Sequence, residues 1–318
     1  LDGILVVDKP QGITSRQVVT KVSRHIVAGK AGHTGTLDPL ATGVLVVCIG
    51  RGTLLARYFS GQGKTYKVDA LLGVSTDTYD IDGAISQRKS VNGISLRLVE
   101  ETLGRFKGRL LQKPPPYSAV KKNGKPLYYY AQRGLKVEPV PREVNVDRVE
   151  IKSFKKGPDG AHLELELSCG SGTYIRSLVH DLGLSLGCGA CVFSLRRLSS
   201  GEFSEDSAIP LDRILSLDGQ GISEILISLE EATRLMPGFS VSQEGARRVA
   251  LGEPLKREWV SISGADPDMK GTFRILDGEG KLIALYGPPK SEDGSEILGR
   301  AVRLIRPLSS VTGNNEAA

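Results

Sequence analysis

Apolar and polar positions along the first 235 residues predict several β-strands. Continuous apolar runs at 4–7 and 44–49 are typical of buried strands. Apolar residues fill every second position at 66–72 and 163–169, as they do in strands with one face covered. We therefore expect a sheet assembled from strands that are far apart in the sequence.

Apolar residues at helical spacing occur between these strands. The helical pattern covers 18–26, 96–106 and 175–186, and Thr14 or Ser15 can cap the first helix. Strands and helices that mix in this way predict an α+β domain over residues 1–237, which ends where a Pro-Gly pair breaks the chain.

The remaining residues, 238–318, predict a small module rich in β-structure. A short helix is expected at 245–251, and glycines separate strand-like runs at 273–276, 282–286 and 301–305. Residues 313–318 have the composition of a frayed tail.

Length and composition exclude several classes of protein. The chain has 318 residues, of which 40% are hydrophobic, so one large and one small folded domain are expected. No apolar run approaches the roughly 18 residues of a membrane span, and the first residues lack a secretory pattern. Four cysteines do not make a disulfide framework in so long a chain. We expect a cytoplasmic protein outside the membrane.

The distribution of charge says more than its total of +6. Residues 105–156 contain fourteen Lys and Arg against four Asp and Glu, whereas residues 201–231 contain eight acids against one Arg. Tyrosines interrupt the basic stretch at 117 and 128–130. Basic residues neutralise phosphates and aromatic rings stack on bases, so the stretch predicts RNA binding. A solvated basic face with no ligand fits the charge equally well.

Residues 32–43 are predicted to form a loop that is rich in potentially reactive side chains. Glycines at three positions allow backbone conformations that other residues avoid, and His33, Asp38 and several hydroxyls lie between them. Two interpretations fit the spacing alone. Asp38 is either a reactive carboxylate, or a turn residue that caps a helix or bonds to its own backbone before Pro39.

Residues 30–45, KAGHTGTLDPLATGVL, closely resemble the active-site signature of the TruB-type tRNA pseudouridine-55 synthases of bacteria. Further blocks resemble the same family in the same order, at 8–15, 115–121, 172–183 and 195–203. The resemblance implies the pseudouridine-synthase fold, with a central mixed or antiparallel sheet, a basic RNA-binding insertion around 105–156 and a C-terminal PUA module. It implies isomerisation of uridine 55 in the tRNA T-loop without a guide RNA.

The resemblance also implies roles for individual residues. Asp38 matches the catalytic aspartate and Arg176 the arginine that pairs with it. Tyr66 matches a tyrosine that stacks on the target base and is placed for proton transfer. The substrate-binding residues implied in the same way are His33, which fills the place that the flipped nucleotide leaves, with Tyr174 and Leu195 of the uridine pocket.

The chemistry requires these residue types without a cofactor or a metal. Uracil leaves the sugar, turns and is rejoined through carbon, which a carboxylate can assist as nucleophile or base. An arginine keeps that carboxylate ionised when RNA excludes water. The substrate base must leave its stack, which favours loop nucleotides. We expect a monomer that binds the T-arm of tRNA.

Two departures from the family pattern occur near the signature. Leu54 stands where the family usually has a lysine, which weakens the case for a phosphate contact there. Val46 stands where the family often has a proline, and this change has no functional consequence that the sequence reveals.

Other candidate residues have simpler interpretations. Cys188 and Cys191 have the spacing of a metal or redox pair, but buried thiols are the more common outcome. His180 fits packing better than catalysis. Arg196 and Arg197 fit phosphate contacts and support of Leu195 equally well.

Two other functions remain open from the sequence. One is the guide-dependent pseudouridine synthase of archaeal and eukaryotic ribonucleoproteins, whose loop resembles this one. The other is an RNA-folding protein that opens the tRNA elbow, with chemistry incidental. Activity of the purified protein on naked tRNA separates the first of these from the leading hypothesis.

Overall fold

The computed structural model describes residues 1–135, 137–263, 271–290 and 296–307. Its strands in chain order are β1 (Gly3–Lys9), β2 (Ala31–His33), β3 (Thr42–Ile49), β4 (Lys64–Leu72), β5 (Val74–Thr76), β6 (Ile85–Arg88), β7 (Gly108–Gln112), β8 (Lys121–Lys122), β9 (Lys125–Pro126), β10 (Arg142–Gly157), β11 (Gly160–Cys169), β12 (Ala190–Ser200), β13 (Phe203–Ser204), β14 (Ile209–Pro210), β15 (Gly238–Val241), β16 (Leu255–Lys256), β17 (Val260–Ser263), β18 (Phe273–Leu276), β19 (Leu282–Gly287) and β20 (Ile297–Leu304). Its α-helices are α1 (Ser15–His25), α2 (Ala56–Ser60), α3 (Leu96–Leu103), α4 (Leu127–Ala131), α5 (Ile175–Ser185), α6 (Leu211–Ser216), α7 (Gly219–Ile225) and α8 (Gln243–Ala250).

The central sheet joins strands from the whole first part of the chain. Its order is β14-β1-β3-β12-β4-β11-β10-β7, with β2 added to β3 and β13 added to β12. The pairs β1–β14 and β3–β12 are parallel, and the other neighbours are antiparallel. The mixed sheet with scattered helices confirms the expected α+β class.

Helices α1 and α5 cover the face of the sheet on which the main core lies. Thr14 caps α1 through a reciprocal pair of hydrogen bonds with Gln17. Val18 and Val22 of α1, with Leu178 and Leu182 of α5, are buried against the inward residues of the strands. The helical periodicity is confirmed, because the side chains spaced at three and four residues are those that the sheet buries.

A second core covers the opposite face of β1 and β3. Ile4 and Val44 lie in it beside Leu282 and Leu285 of β19 and Ile305, which follows β20. The alternate residues of a strand point to opposite faces, so a continuously apolar strand must be covered on both sides. The C-terminal module therefore supplies part of the cover for the central sheet.

The C-terminal module is built around a second sheet with the order β16-β20-β19-β18-β15-β17. Helix α8 begins after its cap, Ser242, and packs its buried residues with Trp259 and Tyr286. The expected β-rich module with a short helix is confirmed by these elements. The expected tail at 313–318 lies outside the described residues.

The basic stretch at 105–156 includes two strands of the central sheet and the segment between them. Its two ends form β7 and β10, which pair with each other at the edge of the central sheet. Residues 113–141 leave the sheet between these strands and carry the β8–β9 hairpin and α4. The part of the expected basic insertion that lies outside the sheet is residues 113–141, and its binding of RNA stays a prediction.

No helix in the described ranges is both long and apolar enough to cross a membrane.

Candidate active site

Asp38 lies on the loop between β2 and β3, and this loop is held by buried contacts. Ser15 receives a hydrogen bond from the amide of Leu37 at 2.7 Å and donates one to the Leu37 carbonyl at 3.0 Å. The side chains of Leu37 and Leu40 are buried on either side of Asp38. The loop thus has a fixed shape, and its carboxylate is free of the helix-capping role that the sequence left open.

Arg176 holds the Asp38 carboxylate with a planar pair of hydrogen bonds. Its Nε donates to Oδ2 at 2.8 Å, and an Nη donates to Oδ1 at 2.9 Å. The Arg176 side chain is 5% exposed, whereas that of Asp38 is 35% exposed. The aspartate therefore remains open to a substrate while its partner is buried. Bidentate pairs of this kind fix both the position and the charge of a carboxylate.

The Arg176 guanidinium is itself held by three further groups. It donates to the carbonyl of Thr78 at 2.8 Å and to that of Tyr117 at 3.0 Å. A second carboxylate, Asp80, lies 3.5 Å away. Burial raises the pKa of Asp80, while its hydrogen bond from Thr78 and the charge of Arg176 lower it. Asp38, Arg176 and Asp80 form a charged row at the base of the site.

Backbone strain accompanies this row. Tyr79 lies between Thr78 and Asp80 with φ of 65°, a conformation that is costly for a bulky residue. Its ring stacks on His180, with centroids 3.7 Å apart. The stack holds the backbone in a shape that directs the neighbours of Tyr79 toward Arg176. His180 is a packing residue here, as the sequence favoured.

The residues around Asp38 line a pocket of about 480 Å³. Tyr66, Tyr174, Leu195 and Arg176 all contribute to its wall. The structure thus brings five of the six predicted site residues together. Tyr66 and Leu195 come from adjacent strands, β4 and β12, whose inward residues face the same side of the sheet. The pocket combines a carboxylate with aromatic and aliphatic surface, as a site for one pyrimidine requires.

Burial dominates the titration of the two pocket tyrosines. It raises the pKa of Tyr66, although Arg197 beside it acts in the opposite direction. It also raises the pKa of Tyr174. Both phenols are therefore neutral at neutral pH, and they can donate hydrogen bonds to a base.

His33 is the predicted residue that lies outside this pocket. It lines a neighbouring groove with Arg16, Thr20 and Arg24 of α1. Its Nδ1 is buried and makes no hydrogen bond within the described part of the chain. Burial lowers the pKa of the ring, so it is neutral at neutral pH. The position agrees with a role beside the pocket rather than in it.

Several residues of the site had no assigned role in the sequence. Lys9 is fully buried and donates to the carbonyls of Pro10, Ile13 and Pro39, which ties β1 to the Asp38 loop. Burial lowers the pKa of Lys9 to about 8, against the influence of Asp38. The Asp-Lys-Pro block was the sequence signal that could have identified Lys9. Asp80 has no such signal in the sequence, because only the fold brings it close to Arg176.

Gln112 is a further residue that the sequence missed. Its side chain accepts from the amide of Tyr174 at 2.8 Å and donates to the carbonyl of Tyr174 at 3.0 Å. Helix α5 begins at Ile175, so Arg176 lies in its first turn. Gln112 therefore fixes the start of the helix that carries Arg176.

The other candidates have structural roles. Cys188 and Cys191 are buried free thiols, and among the described residues no group of His, Cys, Asp and Glu side chains could hold a metal ion. Arg196 pairs with Asp8 through two hydrogen bonds of 3.0 and 2.9 Å and also bonds Glu205. These contacts explain Arg196 without a ligand.

Two family models match consecutive parts of the chain. The N-terminal domain of TruB family pseudouridylate synthases matches residues 23–175, and the tRNA pseudouridylate synthase B C-terminal domain matches residues 176–233. The tRNA pseudouridine synthase B of Geobacter sulfurreducens is 39% identical over 286 residues, which cover 90% of this chain and 93% of that protein. This chain belongs to the TruB family of pseudouridine synthases.

Other TruB relatives cover still more of the chain. The tRNA pseudouridine synthase B of Syntrophus aciditrophicus is 40% identical over 316 residues, covering 96% of this chain and 98% of that protein. Among solved structures, a chain of a Cbf5–Nop10–Gar1 complex matches with a TM-score of 0.74 and 25% identity, over 97% of this chain and 86% of that one. The similarity extends through the C-terminal module of this TruB chain.

Proposed function

We propose that this TruB-family enzyme converts uridine 55 of the tRNA T-loop to pseudouridine without a guide RNA. The observation that carries the proposal is the Asp38 carboxylate, which is held in a bidentate pair by a buried arginine in a pocket of about 480 Å³ that two tyrosines help to line. The names of the relatives, tRNA pseudouridine synthase B, support tRNA as the substrate.

Asp38 is the group that acts on the nucleotide. It is the exposed member of the pair, and Arg176 remains its buried counter-ion when bound RNA removes water from the pocket. The carboxylate acts as a nucleophile or a base while the glycosidic bond breaks. The uracil then turns within the pocket, and C5 takes the place of N1 on the sugar.

Tyr66, Tyr174 and Leu195 hold the base during this rotation. Their rings and aliphatic surface line the same pocket as the Asp38–Arg176 pair. Stacking holds a planar ring without fixing its orientation in the plane, which is what a detached and turning uracil requires. Entry needs a base that is out of its stack, so a loop uridine is preferred over a paired one.

The segment 113–141 supplies a surface for the phosphates. Its hairpin carries Lys121, Lys122 and Lys125, and its helix carries Tyr129. The Lys125 ammonium lies 4.4 Å from the centre of the Tyr129 ring, and the Arg133 guanidinium lies 3.7 Å from it. The carbonyl of Tyr117, at the start of this segment, accepts a hydrogen bond from Arg176. RNA bound along the segment would therefore lie directly over the pocket.

The two modules have separate tasks in this proposal. Residues 1–237 form the catalytic domain, and residues 238–318 form a PUA-like domain that extends the RNA-binding surface. The assignment is supported by the second sheet, which has six strands, and by the single short helix α8 described in this part of the chain. We further propose that the enzyme works as a monomer in the cytoplasm, because one chain contains the whole pocket.

The decisive experiment uses purified protein and an unmodified tRNA transcript. Pseudouridine is mapped after incubation, and a transcript with cytidine at position 55 is the matched control. The expected result is one pseudouridine at position 55 of the first transcript and none in the second. Absence of product, or a product at another position, would refute the proposal.

The structural match to a Cbf5 complex favours one alternative, a guide-dependent synthase. Such an enzyme would be inactive on the naked transcript and would need a guide RNA. The same incubation distinguishes the two, because the present proposal requires full activity without any second RNA.

A further inference from the structure

Arg197 is a buried cation that the proposed reaction does not yet use. It is 1% exposed and lies on the wall of the pocket. Its Nε donates to the carbonyl of Val44 at 2.7 Å, and an Nη donates to that of Gly35 at 3.1 Å. Among the described residues, no carboxylate forms an ion pair with it. A guanidinium has five N–H donors, so these two bonds leave part of its capacity free.

The backbone places this guanidinium between the Asp38 loop and Tyr66. Arg197 is the register partner of Tyr66 in the β12–β4 pair and of Gly43 in the β12–β3 pair. Gly43 has φ of 94°, and a Cβ there would lie 2.2 Å from the Arg197 carbonyl oxygen. This close approach fixes the Arg197 backbone against the end of the Asp38 loop. On its other side, β12 pairs with β4, which places Arg197 beside Tyr66.

A charge in this position is costly unless something compensates it. Burial of an unpaired ion is unfavourable, and two neutral carbonyls compensate less than a carboxylate would. An apolar residue of similar size would fill the space at lower cost. The guanidinium is therefore expected to interact with a group that becomes negative during the reaction.

Tyr66 is the neighbour that can become negative. It is 6% exposed, and burial raises the pKa of its phenol, while hydrogen bonding and charge from Arg197 lower it. Arg196, the residue before Arg197, faces the opposite side of β12 and is already paired with Asp8 and Glu205. Only one of the two consecutive arginines can thus act on the tyrosine.

We propose that Arg197 is a positioning residue that orients the Tyr66 phenol and stabilises its phenolate while that oxygen removes the proton from C5 of the rejoined uracil. In this step the neutral phenol first passes its proton through water to N1 of the C6=N1 double bond, which leaves the phenolate beside Arg197. The phenolate then takes the proton from C5, the C5–H electron pair forms the C5–C6 double bond, and the π pair of C6=N1 becomes the lone pair of N1–H. The phenol is thereby restored. The inference rests on the function proposed above.

The test is a double-mutant cycle on single-turnover kinetics. Arg197→Lys and Tyr66→Phe are made separately and together, and Arg196→Lys is the matched control. Each enzyme is assayed at saturating concentration on transcripts with uridine or 5-deuterouridine. We expect Arg197→Lys to slow the reaction by roughly tenfold or more and to increase the deuterium isotope effect. In the Tyr66→Phe background the same change should add little, and Arg196→Lys should resemble the wild type.

A second experiment tests the same inference without requiring measurable activity of the Tyr66→Phe enzyme. Incorporation of 3-fluorotyrosine at position 66 lowers the pKa of the phenol with almost no change of shape, so it should partly restore the rate of Arg197→Lys. If Arg197→Lys does not fold, Arg197→Gln replaces it in both experiments.

Three outcomes separate the possibilities. An equal loss from Arg197→Lys with and without the Tyr66 hydroxyl, and no rescue by fluorotyrosine, would overturn the inference and leave Arg197 a structural residue. A normal rate in Arg197→Lys, with no larger isotope effect, would also overturn it. Failure of the wild type to modify the transcript would instead refute the proposed function itself.

Discussion

Replacement of Arg176 by lysine tests whether the pairing with Asp38 is the centre of the reaction. The change keeps the positive charge and removes the planar fork. Arg176 makes two hydrogen bonds to the Asp38 carboxylate and one each to the carbonyls of Thr78 and Tyr117. A lysine ammonium is a point charge and cannot reproduce the bidentate geometry.

The magnitude follows from burial. Loss of a partner from a buried ion pair costs about 3–5 kcal/mol, and a hydrogen bond to a charged group contributes about 1.5–3 kcal/mol. Asp38 is 35% exposed in the free enzyme, so the full cost applies only when RNA covers the pocket. The lysine retains part of the attraction. We therefore expect a barrier higher by about 3 kcal/mol, which slows the reaction by roughly a hundredfold or more.

The assay is single-turnover pseudouridine formation at saturating enzyme, with filter binding of the same tRNA. The rate should fall while affinity stays nearly unchanged, since Arg176 is buried beneath the pocket. Arg196→Lys is the control, because Arg196 makes a similar bidentate pair with Asp8 at 2.9–3.0 Å outside the pocket. That change should leave the rate almost unaltered.

Either of two results would refute the reasoning. If the Arg176→Lys enzyme bound tRNA poorly but reacted at the normal rate once bound, Arg176 would be a phosphate contact and its pairing with Asp38 would be incidental. Equal losses of rate from Arg176→Lys and Arg196→Lys would also contradict it, because the enzyme would then be sensitive to any arginine-to-lysine replacement.

Three further predictions follow from the same geometry. Asp38→Asn keeps the shape but removes the charge, so turnover should be lost while filter binding of tRNA is preserved, and turnover above background would contradict the mechanism. Replacement of Lys121 and Lys122 by alanine should make the slope of log affinity against log salt shallower by about 2, and an unchanged slope would place the RNA elsewhere. Removal of residues 238–318 exposes the apolar face around Ile4 and Val44, so the shortened protein should melt at lower temperature or aggregate. An unchanged melting curve in calorimetry would show that this face tolerates water.

The sequence by itself determined the local elements and the reactive loop. The strands around Tyr66 and Leu165 follow from period-two alternation, and α1 and α5 follow from helical spacing. These features depend on neighbours along the chain, which a pattern can record.

Apart from the Asp38–Arg176 pair, which the family resemblance implied, the tertiary structure decided which distant groups meet. Asp38 and Arg176 are 138 residues apart, and the strand order of the sheet is what brings them within 2.8 Å. Asp80 lies 3.5 Å from the same arginine, in a turn where Tyr79 has a positive φ and stacks on His180. No local pattern encodes these contacts, since each depends on packing across several strands. The sequence also did not show that the C-terminal module covers β1 and β3. A continuously apolar strand indicates that both of its faces are buried, but not which residues bury them.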